Sequence, residues 1–152
     1  MSRYPAIAAA VLPAALALAW WATSRPDPAT SAAAEADIAT GAELYVENCA
    51  SCHGAKLEGQ PDWKRRLENG RMPAPPHDES GHTWHHSDQD LFAITKLGVG
   101  GVVPGYESDM LAFGDILSDE DITAVLAFIK STWPERQRDV QARITASDGD
   151  GS

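Results

Sequence analysis

Cys49-Ala50-Ser51-Cys52-His53 constrains this chain more than any other stretch. Two thiols separated by two residues and followed directly by an imidazole form the attachment signature of a c-type haem. On one helical turn the thiols stand where they can add to the two vinyl groups of one porphyrin edge, and the next residue presents its ring to the iron. A Cys-x-x-Cys pair also serves as a redox dithiol, as half of a zinc site or as a short-loop disulfide. A redox dithiol is expected beside a strand-helix-strand pattern, and nothing of that kind surrounds residues 40–60. A structural zinc site needs further ligands, and these are the only two cysteines in the chain.

The 152 residues suit one domain with extensions. The 22 acidic residues against 12 basic ones set a net charge of −10, which argues against nucleic acid, since phosphate binding depends on clustered Lys and Arg. An acidic surface steers basic partners instead.

The chain opens with Arg3 and then an Ala-, Leu- and Val-rich run from Tyr4 to Trp21, with no further charge until Arg25. Residues 1–24 therefore read as a signal peptide or a transmembrane anchor. Ala22-Thr23-Ser24 offers the small residues a signal peptidase needs. Trp20 and Trp21 sit instead where an aromatic belt would hold an uncleaved helix, with Arg3 on the inner side. Either reading sends the folded part out of the cytoplasm, where covalent haem attachment takes place.

Residues 25–36 are rich in Pro, Ala, Ser and Thr and read as a flexible linker. A first helix is expected from about Asp37, with Ile38, Gly41, Ala42, Tyr45 and Val46 on one stripe, ending at the cysteine motif. Glycine in a helix interior costs about 1 kcal/mol relative to alanine, so Gly41 implies another backbone passing close by. Gly54 to His86 reads as a long loop, with Asp62 placed to cap a short helix through Leu67 and with three prolines in Met72-Pro73-Ala74-Pro75-Pro76. Such a loop is expected to pack on something, and a haem edge would serve. Ser87 with Asp90 and Ser118 with Asp121 read as capping boxes. The first opens a helix over Asp88–Leu97, ended by Gly98, and the second a helix with the apolar stripe Ile122, Val125, Leu126 and Ile129, ended by Pro134. Residues 134–152 read as a polar tail, weakly helical and then frayed.

These ordered features resemble a class I monohaem cytochrome c over roughly residues 37–133. The resemblance rests on Gly41 and Tyr45 leading into Cys49-Ala50-Ser51-Cys52-His53, a middle helix, Met110, and Ala124-Val125-Leu126-Ala127-Phe128-Ile129-Lys130 after Leu117-Ser118-Asp119-Glu120. It implies an all-α fold in which the first and last helices cross around one covalently attached haem, with Tyr45 and Phe128 packed at the crossing. It implies that Cys49 and Cys52 hold the porphyrin, that His53 is the proximal iron ligand and that a methionine sulfur is the distal one. Met110 is preferred for that role over Met72, although Leu111 stands where the family usually has proline. Pro61 is where the family commonly offers a backbone carbonyl to the other imidazole nitrogen.

His77, His82, His85 and His86 leave a separate question. They suit a second metal, a substitute distal ligand, or a polar surround to the haem with Trp84 over its edge. Arg65, Arg66 and Arg71 are candidates to pair with the haem carboxylates. Three functions therefore stand side by side: a closed-site electron carrier, a small haem enzyme of peroxidase type with an open iron, and a metal-handling module. The carrier is the expected one, since iron held by His and Met has no open position. Its expected partners are redox proteins or membrane respiratory complexes with basic docking patches, met on the periplasmic side of the bacterial inner membrane. The N-terminal segment would hold the carrier there, and no nucleic acid is involved.

Overall fold

The computed structural model describes residues 28–149. The chain divides into residues 1–35 and 36–152, and of the first unit only the helical stretch from residue 28 is described. The expected signal or anchor at residues 1–24 lies outside the described residues. Among those described, no helix is long and apolar enough to cross a membrane.

All regular structure among the described residues is helical, as the resemblance implies. The order is α1 (Pro28–Asn48), α2 (Ala50–His53), a 3-10 turn (Thr83–His85), α3 (Asp88–Leu97), α4 (Val99–Val102), α5 (Asp119–Ser131) and α6 (Glu135–Gly149). Helix α1 begins well before Asp37, so residues 28–36, read from composition as a flexible linker, are helical. Alanine has the highest helix propensity, which carries the Ala-rich stretch, and a proline in the first turn sacrifices no hydrogen bond.

Both serine-initiated helices begin where their sequences indicate. Ser118 Oγ accepts from Asp121 N at 3.1 Å while the Asp121 carboxylate accepts from Ser118 N at 3.1 Å, a complete capping box. Ser87 Oγ likewise accepts from Asp90 N at 3.1 Å, but the Asp90 carboxylate lies 4.0 Å from His86 Nδ1. That second cap is thus the hydroxyl alone. Asp62 caps no helix: its φ of 53° is left-handed, whereas a cap residue needs extended backbone, and residues 61–64 form turns.

Helix α5 buries Ile122, Val125 and Ile129, each worth about 1.5–3 kcal/mol when fully removed from water. Val125 and Ile129 join Tyr45, Leu57, Leu91 and Trp133 in one cluster, and Ile122 joins Phe113 and Leu117 in another. Helices α1 and α5 meet backbone to backbone: a Cβ on Gly41 would overlap the carbonyl group of Ala124 and lie 3.0 Å from Val125 N. One turn on from each, the Tyr45 and Phe128 rings pack at 5.5 Å.

Residues 135–149, expected to be weakly helical at first and then frayed, form one helix, α6. Its polar sequence is held by polar contacts: Gln141 is 2% exposed and its amide donates to Asp88 Oδ1 at 2.6 Å. Asp88 N donates to Thr145 Oγ1 at 3.1 Å, and Arg138 donates to the Trp133 carbonyl. These bonds clamp the start of α3 without any apolar stripe, which is why hydropathy patterning missed the element.

Candidate functional site

Cys49, Cys52 and His53 are brought together where α1 gives way to the single turn of α2. The joint is continuous helical bonding: Cys49 N donates to Tyr45 O at 2.9 Å and His53 N to Cys49 O at 2.9 Å. Tyr45, 1% exposed, donates its hydroxyl to Gly54 O at 2.9 Å and so ties the far end of the turn back to α1. Burial raises the Tyr45 pKa, keeping it a donor. Neither cysteine is in a disulfide. Burial, with Cys52 beside it, pushes the Cys49 thiol up to about 11, while Cys52 faces solvent.

His53 is 8% exposed, and its Nδ1 lies 2.8 Å from the carbonyl oxygen of Pro75. A carbonyl only accepts, so Nδ1 carries the proton and Nε2 keeps the lone pair a metal needs. The carbonyl was expected from Pro61. It comes from Pro75, 22 residues beyond His53, because the loop in between is long and turns at the left-handed residues Leu57, Gly59 and Asp62 before returning. Gln60 N donates to Ala74 O at 2.9 Å and His77 N to Leu57 O at 2.8 Å, which brings the Pro-rich run back to the histidine. Burial lowers the His53 pKa, against the opposing pull of the Pro75 carbonyl, so the ring is held neutral.

Met110 stands in a separate loop between α4 and α5, half-buried, with its N–H donating to Ser108 Oγ at 3.1 Å. That loop is laid over the end of α3: Phe113 N donates to Thr95 O at 3.1 Å and Gly114 N to Lys96 O at 2.9 Å. Gly98, with φ +71°, lets the Met110 carbonyl pass within 3.2 Å of where a Cβ would stand. The loop is also tied to the stretch containing Met72, because Arg71 pairs with Asp109 and approaches Glu107 at 4.0 Å. Arg71 is therefore occupied by surface carboxylates. Arg66 donates to Gly70 O at 2.6 Å and lies over the Tyr106 ring.

The other histidines are engaged in ring contacts. His82 stacks on Trp63 at 5.3 Å and meets His86 edge-on at 5.5 Å, and His85 lies on Trp84 at 3.7 Å. Among the described residues, no group of three or more His, Cys, Asp or Glu is placed to hold a metal ion. His77 stacks instead on His53, with ring centroids 3.9 Å apart and planes 20° apart. Burial, with His53 and His82 nearby, holds the His77 pKa well below its ordinary value. That stack and the Pro75 carbonyl are the two site features that sequence reasoning missed. Both depend on a loop closure that leaves no periodic trace.

The residues fit a covalently held haem. Two unpaired thiols flank one helical turn, the following imidazole has its lone pair free, and Trp84 Nε1 is buried without a hydrogen-bond partner. Trp84 borders the same apolar cluster as Cys49, so a bound group with a polar edge would satisfy it.

A family model described as Cytochrome c matches residues 38–133, well over half of the chain. The gluconate 2-dehydrogenase cytochrome c subunit of Pantoea cypripedii is 30% identical over 118 residues. That match covers 74% of this chain and 23% of the relative, so the chain spans under a quarter of the length of this curated relative. No solved structure matches the chain.

Proposed function

The chain belongs to the cytochrome c family, whose haem is covalently attached, and from that premise we propose that it is a single-haem electron carrier and not itself an enzyme. The observation that carries the reading is the neutral His53, its Nδ1 committed to Pro75 O and its Nε2 free, directly after the two thiols. When bound, haem c supplies a one-electron ferric/ferrous couple.

The protein's part is to hold and to exclude. Cys49 and Cys52 would hold the porphyrin through two thioethers. His53 would ligate the iron through Nε2, and the Pro75 carbonyl fixes its tautomer and would strengthen it as a donor. Met110 would supply the second protein ligand, and its soft thioether would favour the ferrous state. Tyr45, Leu57, Leu91 and Trp133 pack against Cys49 and Ala50 and keep water from that side of the turn. With His53 and Met110 both holding the group, no position would remain open to a small substrate, which suits electron transfer.

Electron delivery from a dehydrogenase-type donor is supported by the likeness to a dehydrogenase cytochrome subunit. The net charge of −10 favours partners with basic docking patches. Export through residues 1–24 places the carrier on the periplasmic side of the inner membrane.

The test is an optical spectrum of purified parent, Met110→Leu and Met72→Leu proteins in both oxidation states. The weak far-red band of sulfur-iron coordination is expected in the parent and in Met72→Leu, and is lost in Met110→Leu. A parent protein that lacks the band, or whose ferrous form readily takes up carbon monoxide, has an open site and overturns the carrier reading.

A further inference from the structure

The proximal ring is held on two sides, and only one of them is a hydrogen bond. Pro75 O fixes the position of His53 Nδ1. A single such bond leaves the imidazole free to swing about the Nδ1 end, so it does not by itself set the plane of the ring. His77 does what the bond cannot: its own imidazole lies flat against His53 at 3.9 Å and 20°.

His77 is in turn immobilised at every point from which it could turn. Its backbone N donates to Leu57 O at 2.8 Å, and its carbonyl accepts from Trp133 Nε1 at 2.7 Å. Its Nδ1 lies 2.8 Å from Thr83 Oγ1, and Tyr45 meets the ring edge-on at 6.3 Å. Thr83 is buried, and its hydroxyl donates to Pro76 O at 3.4 Å, which leaves the oxygen to accept from His77 Nδ1–H. Trp133 is 1% exposed and sits just past the end of α5. A residue that served only to fill the loop would not need its ring nitrogen, its backbone and its edge all fixed.

We propose that His77 is a positioning residue for electron transfer: it sets the plane of the proximal His53 imidazole and shields that ring from water. This rests on the reading of His53 as proximal ligand. Two consequences follow from general chemistry. In a ferric low-spin haem, the unpaired spin is distributed over the porphyrin according to the orientation of the axial imidazole plane. Water reaching the proximal ring stabilises the more highly charged ferric state.

The experiment uses haem-loaded parent, His77→Ala, His77→Phe and Thr83→Val proteins. It reads the paramagnetically shifted haem-methyl resonances of the ferric form and the midpoint potential. In His77→Ala the methyl shifts should change in spread or order. The ratio of reduced to oxidised protein at fixed potential should fall about threefold, equivalent to about 28 mV at 59 mV per tenfold for one electron. His77→Phe keeps a flat ring against His53 and should return both readouts toward the parent. Thr83→Val keeps the imidazole but frees its rotation, and should give an intermediate methyl pattern with an unchanged haem content.

A loaded His77→Ala protein with parental methyl shifts and potential overturns the proposal while leaving the carrier reading intact. If His77→Ala does not load haem, Thr83→Val decides, and a parental pattern there overturns the proposal equally. A parent that gives no low-spin histidine-ligated pattern removes the premise, and both readings fall together.

Discussion

Replacing Gly41 by alanine tests the helix crossing on which the site is built. The added Cβ would overlap the carbonyl group of Ala124 and stand 3.0 Å from Val125 N. Those atoms are helix backbone and cannot rotate aside as a side chain would. Restoring ordinary contact at about 3.5 Å means parting α1 and α5 by more than ~1 Å at their closest point. That separation loosens Tyr45 against Phe128 and the packing of Val125 and Ile129. Overpacking a core costs about 1–3 kcal/mol, and a backbone obstacle belongs at the upper end. Alanine recovers about 1 kcal/mol of helix propensity, so the net loss is about 2 kcal/mol. This corresponds to a roughly thirtyfold smaller folding equilibrium constant. Guanidinium unfolding of haem-loaded Gly41→Ala should therefore show a lower midpoint with an unchanged slope. Thr40→Ala, exposed on the same helix, should stay within about 0.5 kcal/mol of the parent. A Gly41→Ala protein as stable as the parent, or more so, would refute the crossing argument.

Three further outcomes are expected. Cys49→Ser and Cys52→Ser single variants should each retain haem through one thioether, while the double variant should lose all haem that survives a denaturing gel; retained stain in the double variant would place the attachment elsewhere. Gln141→Ala removes a buried donor to Asp88 Oδ1 and Thr145 Oγ1, at a cost of about 1–3 kcal/mol. Hydrogen exchange should then quicken across residues 135–149 and leave α5 protected, and uniform protection would show that α6 docks by other means. Burial first, and then His86, His85 and Lys64, hold the His82 pKa below its ordinary 6.5. The unfolded chain thus takes up that proton more readily, so folding weakens as pH falls below about 6.5 and is unaffected by His82 above it. The effect is modest because His82 faces solvent. An NMR titration in which the His82 ring protonates above 6.5 would reverse the sign.

Local signals were legible wherever a short-range rule governed them. Ser118 and Asp121 announce the start of α5 because a capping box spans four consecutive residues. Gly98 announces the end of α3 because only a residue tolerant of positive φ stops a helix there. Gly41 announced a close neighbour, though not that the neighbour would be Ala124. Where the rule was long-range, reading along the chain misled. The family resemblance pointed to Pro61 for the carbonyl, yet the longer return of this loop delivers Pro75. The polar run after Pro134 read as only weakly helical before fraying because its helix is docked by Gln141, Thr145 and Arg138 rather than by an apolar stripe.

The sequence by itself determined the chemistry, since two thiols and an imidazole at that spacing fall on one helical turn whatever surrounds them. It also determined which stretches would be helical in the core, through caps and apolar periodicity. Tertiary structure alone decided how the imidazole is held. The Pro75 carbonyl, the His77 stack, its Thr83 anchor and the Trp133 hydrogen bond come from four points along the chain that no local pattern links. They meet only because burying Tyr45, Leu57, Val125, Ile129 and Trp133 together folds the proline-rich loop back over His53. Hydrophobic burial is non-directional and closes the loop. The hydrogen bonds and the ring stack then select the one arrangement that orients His53.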